Sequence, residues 1–570
     1  MLHDVLQHIA TQHPDRIALG GDGKDAETLT YAQLWQQVNA VVTALAARGV
    51  TPGDRVAVLS GNGIDAVVCF WAIAASGAIN VFLNDQSPPA ALRQILDDAT
   101  PVFTLATASM AKKRFAINSR ENGDSGEVAA APECLPVSDY PVVELERFYA
   151  EALAAAGTAT PIAPVTKTAM PAGDDAIAAI IYTSGSTGTP KGVCLTHTNL
   201  IEVARMAGDR YATVPSDSYL MVVPLHYIHG LMILVTMHLR GAAIHFMNSF
   251  VFPKLVTRRL QQLGVTGFSG VPYHFTALVE RGGLLEADLP QLRWMGVTGG
   301  TCPPERLQQI RQAQPSIELH ISYGQTECSP RITALDPARI DTKPDSVGEV
   351  AEGLIVEFLG EDGQPVPRGE LGELVVSGPT VMHGYWNDPE STRRVIDEQG
   401  RLHTGDLAYI DADGDVYIKG RIQAMIKSAG ERIFPEELEA ILNLSADVSD
   451  VAVVGVEDER YGQRVEAHVC ILPDATDALA PGSDAETAML QRIKAHCLVH
   501  VPLVKAPKVY HLWQEFPLKA NGKTDKQTLM KNVLIRQQAA ASESESAPQT
   551  GVDNSGASDE LHSQRQLKSG

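Results

Sequence analysis

The sequence lacks the marks of several protein classes. Its seven cysteines (Cys69, Cys134, Cys194, Cys302, Cys328, Cys470 and Cys497) are odd in number and widely scattered, with no CxxC or Cys/His ligand spacing. Neither a disulfide framework nor a structural zinc site is therefore expected, and the reading is a reducing cytoplasm. Positive charge is also short, with 46 Lys and Arg against 68 Asp and Glu, a net −22. Such a chain repels polyphosphate backbones and anionic lipid, so nucleic acid is not an expected partner. The N-terminal MLHDVLQHIATQHPD carries acids and histidines where a secretory signal needs a basic start and an apolar run, and no export is expected. One stretch approaches membrane length, Ala66 to Leu83, 18 residues interrupted by Ser76, Gly77 and Asn80. Its small residues and stop chemistry predict a buried helix ending near Gly77, then a strand, and no membrane span. No repeat of solenoid length is present.

What is present is ample core material. Of 570 residues 44% are apolar and 20% charged, enough for roughly three to five folding units. Short β-branched runs alternate with helical patterns: RVAVLS at 55–60, AIAAIIYTS at 176–184, GVTGFSGVP at 264–272 and LRWMGVTGG at 292–300. This alternation predicts α/β architecture with largely buried strands. From Gly348 turn signals multiply (GEDGQPVPRGELGE, DADGD) and a β-rich subdomain is expected. A final compact unit begins near Arg421, with an amphipathic PEELEAIL at 435–442 and a strand VAVVGV at 451–456. Residues 119–138 and 154–175 read as surface insertions, and 536–570 as a disordered tail with too little apolar surface to offset chain entropy.

The strongest local signal is YTSGSTGTPKGV, Tyr182 to Val193, after the apolar run AIAAII. Its glycines, the hydroxyls of Thr183, Ser184, Ser186 and Thr187, and Lys191 offer amides, donors and a point charge suited to a polyphosphate. It is not a Walker A loop, because Pro190 stands where that motif needs glycine. A surface linker is the competing reading. Further on come GGTCPP (Gly299–Pro304), YGQTE (Tyr323–Glu327), TGD (Thr404–Asp406), YIKGR ending at Arg421, and PLKANGKTD (Pro517–Asp525). Taken singly, each also reads as a turn, a helix cap or a solvated charge.

Together and in this order the motifs resemble the acyl-adenylate-forming enzymes: acyl-CoA synthetases, the adenylation domains of nonribosomal peptide synthetases and beetle luciferase. The resemblance spans roughly residues 5–535. It implies a large N-terminal domain of two α/β sheet subdomains plus a β-rich subdomain, and a small mobile α+β C-terminal domain. The boundaries expected are 1–420, 421–535 and the 536–570 tail. ATP or AMP is expected on Thr183, Ser184, Gly185, Ser186, Thr187, Gly188 and Lys191, on Gly300, Thr301 and Cys302, and on Tyr323, Gly324 and Thr326. Asp406 and Arg421 would hold the ribose, and Glu327 would ligate Mg²⁺. Lys523 would bridge the substrate carboxylate and the α-phosphate, where a cation relieves the approach of two anions. Lys523, Thr326, Glu327 and Lys191 form the implied catalytic set. The hinge falls at Gln423, a neutral residue where relatives commonly carry an acid or lysine, with Ala424 replacing a second frequent acid. Lys427, Ser428, Ala429 and Gly430 would line the thiol channel.

For the acid, Tyr227, Val271, Tyr273 and Gly299 are the candidate walls. In VPLHYIHG the order His226–Tyr227 reverses the aromatic–histidine order of many acyl-CoA ligases, so a thiol-admitting role for a histidine does not carry over, and His226 and His229 read equally as packed residues. Met221 to Arg240 contains no acid to pair a substrate ammonium, which points to a carboxylic acid without a free α-amine. The expected activity is AMP-forming acid–thiol ligation. Coenzyme A is the expected acceptor, with the phosphopantetheine of an acyl carrier protein as the alternative, and homodimerisation is left open. The reading from another class is an inactive ATP-binding regulatory module. A P-loop kinase is disfavoured by Pro190.

Overall fold

Each short apolar run flanked by glycine or proline becomes a strand in the computed structural model, which describes residues 1–21, 26–116, 135–156, 176–184, 190–458, 460–472, 483–517, 524–526 and 528–529. The chain divides into two compact units, Met1–Lys427 with Glu431–Ile441, and Ser428–Gly430 with the residues from Leu442 onward.

In the first unit two large sheets flank a layer of helices. One has seven strands in the order Gly384–Tyr385, Pro190–Thr196, Ile177–Ser184, Ile79–Phe82, Arg55–Leu59, Phe103–Ala106 and Val142–Glu144. The other has nine, with a parallel centre of Glu318–Tyr323, Trp294–Val297, Gly267–Gly270, Ser218–Met221, Ala243–Phe246 and Ile17–Gly20. Because side chains alternate across a strand, the two faces of each sheet feed different cores. Val56 and Val58, with Tyr219 and Met221 of the other sheet, join one central cluster, whereas Ala57, Leu59, Phe268 and Met295 pack outward. Ile64–Ala75 and Ile228–Leu239 fill the middle layer and are apolar nearly all round, as a helix between two sheets must be. The membrane-length stretch is thus a buried helix, a turn at Gly77 (φ +72°) and the strand Ile79–Phe82. Among the described residues no helix is long and apolar enough to cross a membrane.

The β-rich part is an antiparallel four-stranded sheet, Ile355–Leu359, Gly372–Ser377, Leu402–Ile410 and Val416–Arg421. DADGD makes its last turn, where Asp411 accepts from the backbone N–H of Asp413 and of Asp415, each at 3.0 Å. The second unit is α+β. Val448–Asp458 and Gly462–Ile471 form an antiparallel hairpin, Val509–Trp513 adds in parallel, and the helix Asp484–His500, capped by Ser483, buries Met489, Ile493 and Cys497. Most of the stretches read as insertions, and all of the tail, lie outside the described residues.

Candidate active site

Two side-chain clusters meet at the turn that follows Glu318–Tyr323. The first is built on paired strands. Asp406 stands opposite Arg421 in the ladder, and the Arg421 Nε donates to its Oδ1 at 3.0 Å. The Tyr323 hydroxyl donates to the other carboxylate oxygen. Asp406 is 3% exposed. Its burial lifts the carboxyl above its ordinary value while Arg421 and the Tyr323 hydrogen bond oppose the shift. The Tyr323 phenol is driven well up by burial and by Asp406, so it remains a neutral donor. The result is an oriented carboxylate able to accept hydroxyl hydrogen bonds.

Four residues on, Glu327 lies in the 3-10 turn Thr326–Cys328. Its carbonyl accepts from Met382 N–H at 2.9 Å and its Oε1 from the Tyr385 hydroxyl at 2.8 Å. Burial, then Glu327, pushes the Tyr385 phenol far up, which keeps it a donor. Lys191 completes the row. Its Nζ lies 5.0 Å from the Tyr385 ring centroid and donates to Ser391 Oγ at 2.9 Å. Thr183 pairs with Lys191 across the hairpin. Gly185, Ser186, Thr187 and Gly188 lie outside the described residues, as does the side chain of Ser184.

Glu327 forms no ion pair among the described residues. A hard carboxylate oxygen here suits Mg²⁺ that arrives with phosphate oxygens as its other ligands. Two other acid-rich groups are already occupied: Lys343 bonds Asp411 and Asp413, and Arg464 and His511 both bond Glu466.

The backbone around Tyr323 is equally constrained. A Cβ at Gly324 would overlap the Pro330 carbonyl oxygen, so only glycine allows the turn to fold back on itself. Gly299, at φ +81°, begins the loop Gly300–Thr301–Cys302 and lies against Val271, whose Cγ1 is 3.4 Å from where a Cβ would be. Cys302 is buried in an apolar cluster, and that burial raises its thiol to about 12. The helix Pro304–Ala313 follows with proline in its first turn.

Of the candidate acid walls, Gly299 and Val271 adjoin. Tyr227 is the N-cap of Ile228–Leu239, and its ring centroid is 4.2 Å from that of His226. Tyr273 is 58% exposed, with Phe250 and His274 as ring neighbours. His226 and His229 are both buried, and burial pushes them down to about 4 and about 3 respectively. Both are neutral, and His229 Nε2 shares a 2.8 Å hydrogen bond with Ser269 Oγ.

Gln423 lies in the short turn Ile422–Ala424, closed by Met425 N–H to the Arg421 carbonyl at 3.0 Å. Lys427 is the middle residue of the short strand Ile426–Ser428, whose last residue, Ser428, pairs with Gly462. Ala429 (φ +51°) and Gly430 (φ +84°) are consecutive left-handed residues, and Ala429 N–H bonds the Tyr461 carbonyl at 2.8 Å. Lys523 lies outside the described residues. Its neighbour Thr524 bonds Asp450 at 3.3 Å, and Asp525 N–H bonds the Pro517 carbonyl at 2.7 Å.

Sequence reasoning passed over Tyr385, Ser391, Asp85 and Arg331. Tyr385 and Ser391 lie in GYWNDPES, whose Asn-Asp-Pro turn chemistry was the available signal. The Asp85 carboxylate acts electrostatically on both His226 and Tyr227, from outside the 221–240 window.

Residues 6–386 match the model of the AMP-binding enzyme family, and residues 437–523 match that of the AMP-binding enzyme C-terminal domain. A feruloyl-CoA synthase from Amycolatopsis sp. is 32% identical over 496 residues, covering 87% of this chain and 92% of that protein. An indoleacetate–CoA ligase from Aromatoleum aromaticum is 32% identical over 527 residues, covering 92% and 96%. The o-succinylbenzoate coenzyme A synthetase of Bacillus subtilis superposes with a TM-score of 0.75 in complex with its acyl-adenylate (26% identity, 91% of this chain and 96% of that one). Its complex with ATP and magnesium gives the same score at 25% identity, covering 91% and 98%.

Proposed function

The chain belongs to the AMP-binding enzyme family, as an acid–thiol ligase of the AMP-forming type, and from that premise we propose that it couples a carboxylic acid to coenzyme A in two steps on one site. In the first step a carboxylate oxygen of the acid attacks the α-phosphorus of ATP, pyrophosphate leaves, and an acyl-adenylate remains. In the second the thiol sulfur attacks the acyl carbon, AMP leaves, and the thiol proton passes to solvent.

The observation that carries this reading is that a single turn, Tyr323–Glu327, links a buried hydroxyl acceptor to an acid, phenol and amine row. Asp406, steered by Arg421 and Tyr323, accepts the ribose hydroxyls. Thr326 and the Thr183–Gly188 segment would bind the phosphates, and Lys191, braced by Ser391, would supply charge there. Mg²⁺ bound at Glu327 would neutralise phosphate charge as pyrophosphate forms. Tyr385 holds Glu327 in place for that ion by donating to its Oε1. Lys523 would enter for adenylation. Rotation about Gln423 would then bring Lys427–Gly430 to the thiol.

The acid is one without a free α-amine, because no acid occurs in Met221–Arg240 and the groups acting on the buried His229 are His274 and the cationic Arg331, neither of them a counter-ion for an ammonium. The test is the acid-dependent exchange of pyrophosphate into ATP, followed by incubation with coenzyme A or a phosphopantetheinylated carrier protein. AMP and acyl-CoA are the expected products, and K523A should abolish the exchange. ADP as the product, or ATP binding with no acid supporting exchange, would defeat the reading, the latter in favour of a regulatory module. Acylation of the carrier protein but not of coenzyme A would move the acceptor to the alternative.

A further inference from the structure

Resting on that ligase reading, we infer that Arg331 reads a second carboxylate on the substrate, at the end remote from the reacting carboxyl. The cationic side chain of Arg331 is 3% exposed. Its Nη2 donates to the Tyr211 hydroxyl at 2.8 Å, and its guanidinium carbon lies 4.9 Å from the Tyr211 ring centroid. Its Nε and Nη1 are buried and have no hydrogen-bond partner among the described residues, and no carboxylate pairs with it there. The more exposed Arg339 and Arg293 meet acids, Asp415 and Glu349 for the first and Asp217 for the second, whereas Arg210, which Arg331 influences electrostatically, also buries an Nε and an Nη2 without a hydrogen-bond partner among the described residues. A buried guanidinium with two nitrogens still able to donate is costly unless an anion arrives. Its planar fork fits a carboxylate best.

The surroundings put this group at the floor of the acid site. Ser269, Gly296 and His320 are register partners on three adjacent parallel strands, Ser269 and Gly296 next to the carboxyl ends of theirs, which is where open α/β sheets bind ligands. Tyr211 covers that row. Its hydroxyl lies 3.0 Å from where a Gly296 Cβ would be, and its ring centroid is 5.0 Å from that of His320. His229 reaches the same row through Ser269, with its Nδ1 buried and without a partner. Ser322, on the His320 face of its strand by the two-residue alternation, also buries an unpartnered hydroxyl. Three members of the cluster are close in sequence to candidate walls of the acid site: His229 to Tyr227, Ser269 to Val271, and Gly296 to Gly299. A second carboxylate seated here would accept from Arg331 Nε and Nη1, with the His229 and Ser322 side chains as neutral neighbours.

The test uses the full chain, ATP-Mg and matched acids, pairing hexanoate with hexanedioate, benzoate with terephthalate, and 3-phenylpropanoate with 3-(4-carboxyphenyl)propanoate. Acid-dependent pyrophosphate release gives kcat/KM for each. The wild-type chain should favour the diacid in at least one pair by about tenfold or more, the increment expected of a charged hydrogen bond. In R331Q the diacid-to-monoacid ratio should fall by at least about tenfold, chiefly through KM for the diacid. Preference for the monoacid in every pair overturns the inference, and this needs no variant to fold. A loss in R331Q that strikes both members equally overturns it too, because a merely structural role would do that. If AMP and pyrophosphate form with monoacids alone, the ligase reading stands and this inference falls. If no acid yields AMP, the ligase reading falls and takes this inference with it.

Discussion

Replacing Asp406 by asparagine isolates the charge of the proposed ribose acceptor at nearly constant shape. In the wild type the carboxylate is buried, held by Arg421 at 3.0 Å and by the Tyr323 hydroxyl. Asparagine keeps an oxygen for Tyr323 but makes any hydroxyl bond to it a neutral one. Charged hydrogen bonds contribute about 1.5–3 kcal/mol against about 1 for neutral ones, a difference of about 0.5–2 kcal/mol, so KM for ATP should rise by roughly 2- to 30-fold. Folding should change little. The Arg421 side chain, half exposed at 57%, is readily solvated, and the loss of a half-exposed pair shifts the thermal midpoint by no more than about 4 °C. A pH signature accompanies this. Burial raises the folded carboxyl above 3.8, so the native state holds its proton more tightly than the unfolded chain does. The Asp406 share of stability therefore falls as pH rises from about 3.8 through the raised value and is flat above it. D406N should remove that component. Steady-state kinetics at varied ATP, with thermal melts from pH 3.5 to 8, measures both. An unchanged KM, or a KM loss that only tracks unfolding, would refute the assignment.

In Y385F, loss of the 2.8 Å bond to Glu327 should raise the magnesium concentration needed for half-maximal pyrophosphate release several-fold, with the circular-dichroism melt nearly unmoved. In G324A the new methyl overlaps the Pro330 carbonyl, so soluble protein should lose adenylation by at least about 100-fold or melt several degrees lower, whereas a change at the exposed Gly363 turn should do neither. His197, His229, His238 and His320 are each held by burial near about 3. The unfolded chain binds their protons below about 6.5, so stability should decline as pH falls from 6.5 toward 3, with net proton uptake on unfolding measurable by calorimetry in buffers of different ionisation enthalpy.

What the sequence made legible was local. Strands such as Arg55–Leu59 and Trp294–Val297 declare themselves because an apolar run between turn residues fits a buried strand wherever it lies. The helix Ile64–Ala75 could be separated from a membrane span because Gly77 stops it in the chain itself. Tyr323, Asp406 and Arg421 were named through motif order, and the structure brings the three side chains together. The unread part of the site depends on contacts between remote segments. Lys191 is 200 positions from Ser391, and Arg331 is 120 from Tyr211. Arg331 shows the difficulty most plainly. It lies four residues after Glu327 in a run inspected for its threonine and glutamate, yet nothing adjacent indicates that its charge is buried. That property arises only when Gly324 allows the turn to close on Pro330 and the side chain meets a tyrosine from another helix end. A search for acids within one segment fails for the same reason, since Asp85 acts on His226 across a fold that no sequence window spans. Motif order therefore points to the groups proposed to act on ATP, whereas those proposed to select the acid are set by tertiary burial and have to be found in the structure.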